Sequence, residues 1–280
     1  MNKLYTLGLY EKALPPGLPW KEKLLAARDA GFDFLEMSID ESDEKLARLN
    51  MDGSEIMKLT RLMDQVGLSV ETMCLSGHRK YPLGSSDPRT FLRSWEIMEK
   101  AICFAEKAGV RIIQLAGYDV FYEPSTMETR ERFEKSLQRA ADMAAKAGIL
   151  LGFETMDTEF MNTIAKAVHV VRNVCSPYLH IYPDLGNLTN AALQYGISLD
   201  QDFDAGRGCI IALHLKETVP GQFRDVPFGK GHVDFQAGIS KAWSMGVRRF
   251  VTEFWYDEKV DWRDNIRSAR CKMSDILDRF

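Results

Sequence analysis

The sequence predicts an α/β fold, a single (β/α)8 TIM barrel spanning residues 1–280, on two observations. The first is size: 280 residues, 45% apolar and 27% charged, suit one large globular domain with its own core. The second is a recurring junction in which a charged amphipathic stretch meets a glycine and then a short β-branched or aromatic run. That is the pattern of a helix C-cap feeding a strand.

Taken in order, the first run lies near residues 4–10 and leads into Pro15-Pro16-Gly17-Leu18-Pro19, a turn expected on the upper rim. Gly31 introduces the second run at 32–38, Gly67 the third at 69–75, Gly109 the fourth at 110–116 and Gly148 the fifth at 149–155. Less punctuated runs follow at 179–184 and 210–216, and Gly246 introduces the eighth at 248–254. Helical periodicity is strongest from Asp87 to Lys107, Thr126 to Lys146 and Trp262 to Arg279, whereas Asp200 to Gly208 reads as irregular and acidic. An open doubly wound sheet would also alternate strands with helices. It would, however, carry a glycine-rich phosphate turn after its first strand, and this chain has none. No proline-rich or serine-rich linker divides the chain.

A net charge of -4 and a pI near 5.8 provide no basic field, so nucleic acid is not an expected partner. The run from Met1 to Tyr10 meets Glu11 and Lys12 too soon for a signal peptide or a membrane span, so the expectation is a cytoplasmic protein with no membrane association. Five scattered cysteines without a C-x-x-C pair read as buried free thiols. A homodimer is the base-rate expectation.

In such barrels the active site forms at the carboxyl ends of the strands, so polar residues that end apolar runs are the informative ones. Four successive runs end this way, at Glu154, Asp184, His214 and Glu253. Singly, each reads as readily as a helix N-cap or a solvated loop residue. As a set, three carboxylates and one imidazole match one divalent ion, zinc or manganese first, with magnesium or cobalt also suited. Without a cation the carboxylates would repel, and at least one would have to titrate upward.

Phosphate recognition has candidates but no motif. Lys12, His78, Arg79, Lys216, Arg224 and Lys230 fall in expected upper loops. Arg224 and His78 rank first, because a guanidinium suits bidentate anion contacts and His78 follows the third strand directly. Each also reads as a solvated loop charge. Packing or capping accounts for His169, His180 and His232.

Around these residues the chain resembles the sugar-phosphate isomerases and epimerases of the xylose-isomerase-like barrels, most of all the L-xylulose/L-ribulose 5-phosphate 3-epimerases of pentulose catabolism. The segments that carry the likeness are Cys-Leu-Ser-Gly-His-Arg-Lys at 74–80, Gly-Phe-Glu-Thr-Met-Asp-Thr at 152–158, Tyr-Pro-Asp-Leu-Gly-Asn at 182–187, His-Leu-Lys-Glu-Thr at 214–218 and Thr-Glu-Phe-Trp at 252–255. The resemblance implies that Glu154, Asp184, His214 and Glu253 hold the ion. It also implies that Glu154 and Glu253 serve as acid and base, and that the substrate is a small phosphorylated ketose. Where 3-epimerases of unphosphorylated ketoses usually place a histidine, this chain has Asn187, a candidate substrate contact or, equally, a helix cap. His78, Lys216 and Arg224 complete the candidate substrate contacts. An aldose–ketose sugar-phosphate isomerase using the same metal site is the alternative. A multinuclear phosphodiesterase of the abasic-site endonuclease type would need more histidines than the five present.

Overall fold

The computed structural model describes residues 3–280; Met1 and Asn2, the start of the amino-terminal run and of the expected domain, lie outside the described residues. Eight parallel strands alternate with helices. They are β1 (Thr6–Tyr10), β2 (Phe34–Ser38), β3 (Ser69–Leu75), β4 (Ile112–Ala116), β5 (Leu150–Glu154), β6 (Leu179–Ile181), β7 (Leu213–Leu215) and β8 (Arg249–Thr252). The ladder runs β6-β5-β4-β3-β2-β1-β8-β7, and two isolated parallel bridges, Ile181 to Ile210 and Asp184 to His214, join its ends into a ring.

The helices are α1 (Trp20–Asp29), α2 (Asp43–Ala47), α3 (Gly53–Val66), α4 (Pro88–Ala108), α5 (Met127–Ala147), α6 (Ile164–Val174), α7 (Leu185–Tyr195), α8 (Leu199–Ala205), α9 (Phe235–Ser244) and α10 (Trp262–Leu277). All five junction glycines named above adopt positive φ, the left-handed conformation that ends a helix and turns the chain into a strand. The segment expected to be irregular around Asp200 is instead helical, as α8. Ser198 caps it by accepting from the Gln201 amide, and Asp202 is buried because its carboxylate accepts the amides of Ile164 and Ala165 at the start of α6. Its acidity reflects a capping contact to a neighbouring helix.

The sixth and seventh strands are shorter than expected. Pro183 has no N–H to continue the β6 ladder, although its carbonyl still accepts from His214 N at 2.9 Å. All five cysteines are free, but only Cys74 is buried; Cys103, Cys175 and Cys271 are exposed.

Side chains alternate across the ring wall. Leu7, Leu9, Leu35 and Met37 belong to the large core between strands and helices, while Phe34, Ile112, Tyr182 and Val251 fill the interior. At Gly8 the Phe34 ring takes the space of a side chain, since a Cβ there would lie 2.4 Å from it.

One buried ionic cluster ties the first two βα units together. Glu11, just past β1, accepts from Lys23 of α1 at 2.6 Å, Lys45 of α2 at 2.8 Å and Arg48 at 2.6 and 2.8 Å, and also from the Ser38 amide at the end of β2 at 2.9 Å. Burial alone would raise this carboxyl, but the Arg48 hydrogen bonds and the charges of Arg48, Lys23 and Lys45 hold it well below its ordinary value of 4.5. Glu11→Gln leaves three cations facing a neutral amide and should destabilise the fold by about 3–5 kcal/mol in urea unfolding. Because the folded-state value is depressed, the stabilisation from Glu11 is complete above pH 4.5 and is lost as pH falls below it. The gap between the unsubstituted protein and Glu11→Gln should therefore narrow on acidification.

Candidate metal and substrate site

Glu154 is the last residue of β5, His214 the centre of β7, and Glu253 follows β8 with its amide donating to Leu215 O at 2.9 Å. Asp184 lies between β6 and α7 and does two things at once. Its Oδ1 caps α7 by accepting the Asn187 amide at 2.6 Å, while its Oδ2 is buried without a hydrogen-bond partner. Each of the four offers one ligand atom, and these atoms all lie within 4.8 Å of one another. The donor set fits a divalent ion: three carboxylates and an imidazole converge, and a buried carboxylate oxygen is left unpaired where a ligand atom is needed.

Lys216 enters the same cluster. Its ammonium lies 3.3 Å from Asp184 Oδ1 and 3.7 Å from Glu253 Oε2. Burial disfavours that ammonium, but Asp184, Glu253 and Glu154 outweigh it and keep the lysine charged. Glu154 is pushed up by burial and then by the Glu253 charge, and Asp184 is pushed up chiefly by burial. Burial acts in the same sense on Glu253, but Lys216 and His214 overcome it and hold that carboxyl low. The backbone has been thinned to admit these groups: a Cβ on Gly186 would stand 2.7 Å from Lys216 O and 3.3 Å from Asp184 Oδ1.

Glu154, Glu253 and Lys216 of the cluster line a cavity of about 640 Å³, within the range of small-ligand sites. Lys12, Arg79, Asn187 and Arg224 are among its walls. Lys12 is paired with Asp40 at 2.5 Å, and the Arg224 guanidinium stands 5.3 Å over the Trp255 ring. Asn187 is not a helix cap. Its Nδ2 donates to Thr155 O at 2.7 Å and its buried Oδ1 has no partner.

His78, expected beside the substrate, is buried away from this cavity. Its Nε2 contacts Ser94 O at 3.2 Å, and burial lowers its pKa to about 4. The short 3-10 turn after β3 points Arg79, one residue later, to the cavity instead. Lys230 is exposed and outside the lining. His169, His180 and His232 contact Asn173, Pro177 O and Thr218, none of them at the site.

Sequence reading missed Glu36, Gln114 and Tyr182, which surround His214 from inside the ring. Glu36 lies inside the apolar run Phe-Leu-Glu-Met of β2, whereas the signal used for the other carboxylates was an acid at the end of such a run.

A model of the xylose isomerase-like TIM barrel family matches residues 24–271. The chain belongs to this family. Among curated relatives, L-ribulose-5-phosphate 3-epimerase UlaE of Escherichia coli O157:H7 is 41% identical over 271 residues, 96% of this chain and 94% of the relative. The protein of the same name from Shigella sonnei matches to the same extent. The resemblance drawn from the motifs at 152–158, 182–187 and 214–218 thus holds along nearly the whole chain. Solved structures share the barrel: D-psicose 3-epimerase superposes with a TM-score of 0.80 at 16% identity, covering 97% of this chain and 99% of that one. L-ribulose 3-epimerase does so with 0.78 at 18%, covering 98% and 95%. Among the described residues, no helix of this family member is long and apolar enough to cross a membrane.

If the four residues act as one ligand set, Asp184→Asn should weaken zinc or manganese binding by at least the roughly 10–100-fold typical of losing an outer partner. Competition with a chromophoric chelator measures this directly.

Proposed function

We propose that this protein is a metal-dependent 3-epimerase that interconverts L-xylulose 5-phosphate and L-ribulose 5-phosphate. The observation that carries the reading is the meeting of Glu154 and Glu253, from strands on well-separated parts of the ring, within 4.8 Å of the same partners. The 41% identity to L-ribulose-5-phosphate 3-epimerases supports the choice of substrate.

Glu154, Asp184, His214 and Glu253 would hold a divalent ion, zinc or manganese, which would supply Lewis-acid stabilisation of the negative charge that develops when the C3 proton leaves. The C3 proton of a ketose is otherwise too weakly acidic to leave. One of the two glutamates removes it as general base, and the other returns a proton to the opposite face, so the configuration at C3 inverts. The Lys216 ammonium, charged and buried, stands beside Glu253 and Asp184 to hold an oxygen that becomes anionic. The unpaired Asn187 Oδ1 is placed to accept from a sugar hydroxyl. Arg79 and Arg224 on the cavity wall are the proposed phosphate ligands, with Arg224 steadied by Trp255.

Glu154→Gln should fold normally and lose turnover. The test is NMR of L-xylulose 5-phosphate in D2O with protein before and after chelation and after metal is restored. Metal-dependent deuterium at C3 with appearance of L-ribulose 5-phosphate is expected; exchange at C1 would point to the aldose–ketose isomerase, and no exchange would overturn the substrate class. Arg224→Ala should raise KM with little change in kcat, by about 10-fold or more for one lost charge-assisted anion contact of 1.5–3 kcal/mol. Steady-state kinetics would separate the two parameters.

A further inference from the structure

We infer that Glu36 is a positioning residue for His214: its carboxylate fixes which imidazole nitrogen faces the ion site. The inference rests on the metal reading above and extends it to a residue that touches neither ion nor substrate. Glu36 is the central residue of β2 and is wholly buried. Its Oε1 lies 2.6 Å from His214 Nε2, and its Oε2 accepts from the Thr72 hydroxyl at 2.7 Å and the Tyr182 hydroxyl at 3.0 Å. Tyr182 also packs edge-on against the imidazole, with ring centroids 4.9 Å apart. The carboxylate is therefore held on three sides with one oxygen aimed at the ring.

An ionised carboxylate can only accept, so the imidazole presents its Nε2–H to Glu36. That leaves Nδ1 facing Glu253 Oε2 at 3.0 Å. A lone pair and a carboxylate oxygen at that distance repel unless a proton or a cation satisfies both. Nδ1 is thus the nitrogen offered to the ion, and Glu36 is the outer carboxylate that orients the ligand and increases its basicity.

The choice of residue is informative in itself. A neutral glutamine would meet the same hydroxyl groups without the several kcal/mol that burying a charge costs. A carboxylate in this position has a use when its charge acts on the ring.

The test is Glu36→Gln, close to isosteric: the amide oxygen still accepts from the Thr72 and Tyr182 hydroxyls, which turns the amide N–H2 towards His214 Nε2 and removes the acceptor there. Two readouts are independent of turnover: zinc affinity by chelator competition, and the ring 15N shifts of His214 in the zinc-loaded protein. We expect affinity to fall by about 10–100-fold with the single-tautomer pattern lost. Affinity within about twofold of the unsubstituted protein, against that expected loss, with an unchanged tautomer, would overturn the role of Glu36. Should Glu36→Gln fail to fold, Glu36→Asp keeps the charge but withdraws it by one methylene; full affinity with the same tautomer in that variant overturns the inference equally. If the unsubstituted protein takes up no divalent ion, the metal reading fails and this one with it, whereas equal uptake by both proteins defeats only the role given to Glu36.

Discussion

Burying charge is the constraint that organises this barrel. Glu36, Glu154, Asp184, Glu253, His214 and Lys216 are all at least nine-tenths buried around one point, and each charge removed from water costs several kcal/mol unless a partner compensates it. The local design follows from that cost. Glu36 is satisfied by hydroxyls and an imidazole, Glu253 by His214 and Lys216, and Asp184 at Oδ1 alone by a helix amide and Lys216. With His214 neutral, as a metal ligand must be, the carboxylates still outnumber the single ammonium. A divalent cation would offset most of the excess, so the same arithmetic that makes the cluster unfavourable when empty would favour a small, highly charged occupant.

The balance has the opposite sign a short distance away. At the end of β2, Ser38 donates its amide to Glu11, a carboxylate shared by three cations. Two residues earlier, Glu36 joins the anionic cluster. One five-residue strand thus takes part in both buried networks, and the rigid ladder to β1 and β3 holds the two at a constant separation. This is why β2, which supplies no expected ligand, has a central place in the site.

The barrel was legible in the sequence because its punctuation is local: a glycine followed by a short β-branched or aromatic run announces five of the helix-to-strand junctions. The strand-end set of Glu154, Asp184, His214 and Glu253 was legible for the same reason, as an acid or imidazole at the end of an apolar run is visible in one dimension. His78 was not, because a single turn of 3-10 helix after β3 decides whether position 78 or 79 looks into the cavity. Glu36 was missed because its role depends on β2 standing across the ring from β7, a relation that no sequence spacing encodes. The helix at α8 escaped notice because its acidic residues answer to contacts outside their own segment, Asp202 to the amides at the start of α6 and Asp200 and Asp204 to Lys241 of α9.

The two strands with the fewest ladder bonds, β6 and β7, meet only through the bridges at Ile181–Ile210 and Asp184–His214. The second of these bridges consists of two members of the proposed ligand set. An ion bound by both would act as a rivet across the one seam where the wall is not stitched by a continuous ladder. Loading the site and closing the cylinder would then be a single event, and the thermodynamic linkage between them would make the seam the part of the molecule whose local opening responds most strongly to the supply of metal.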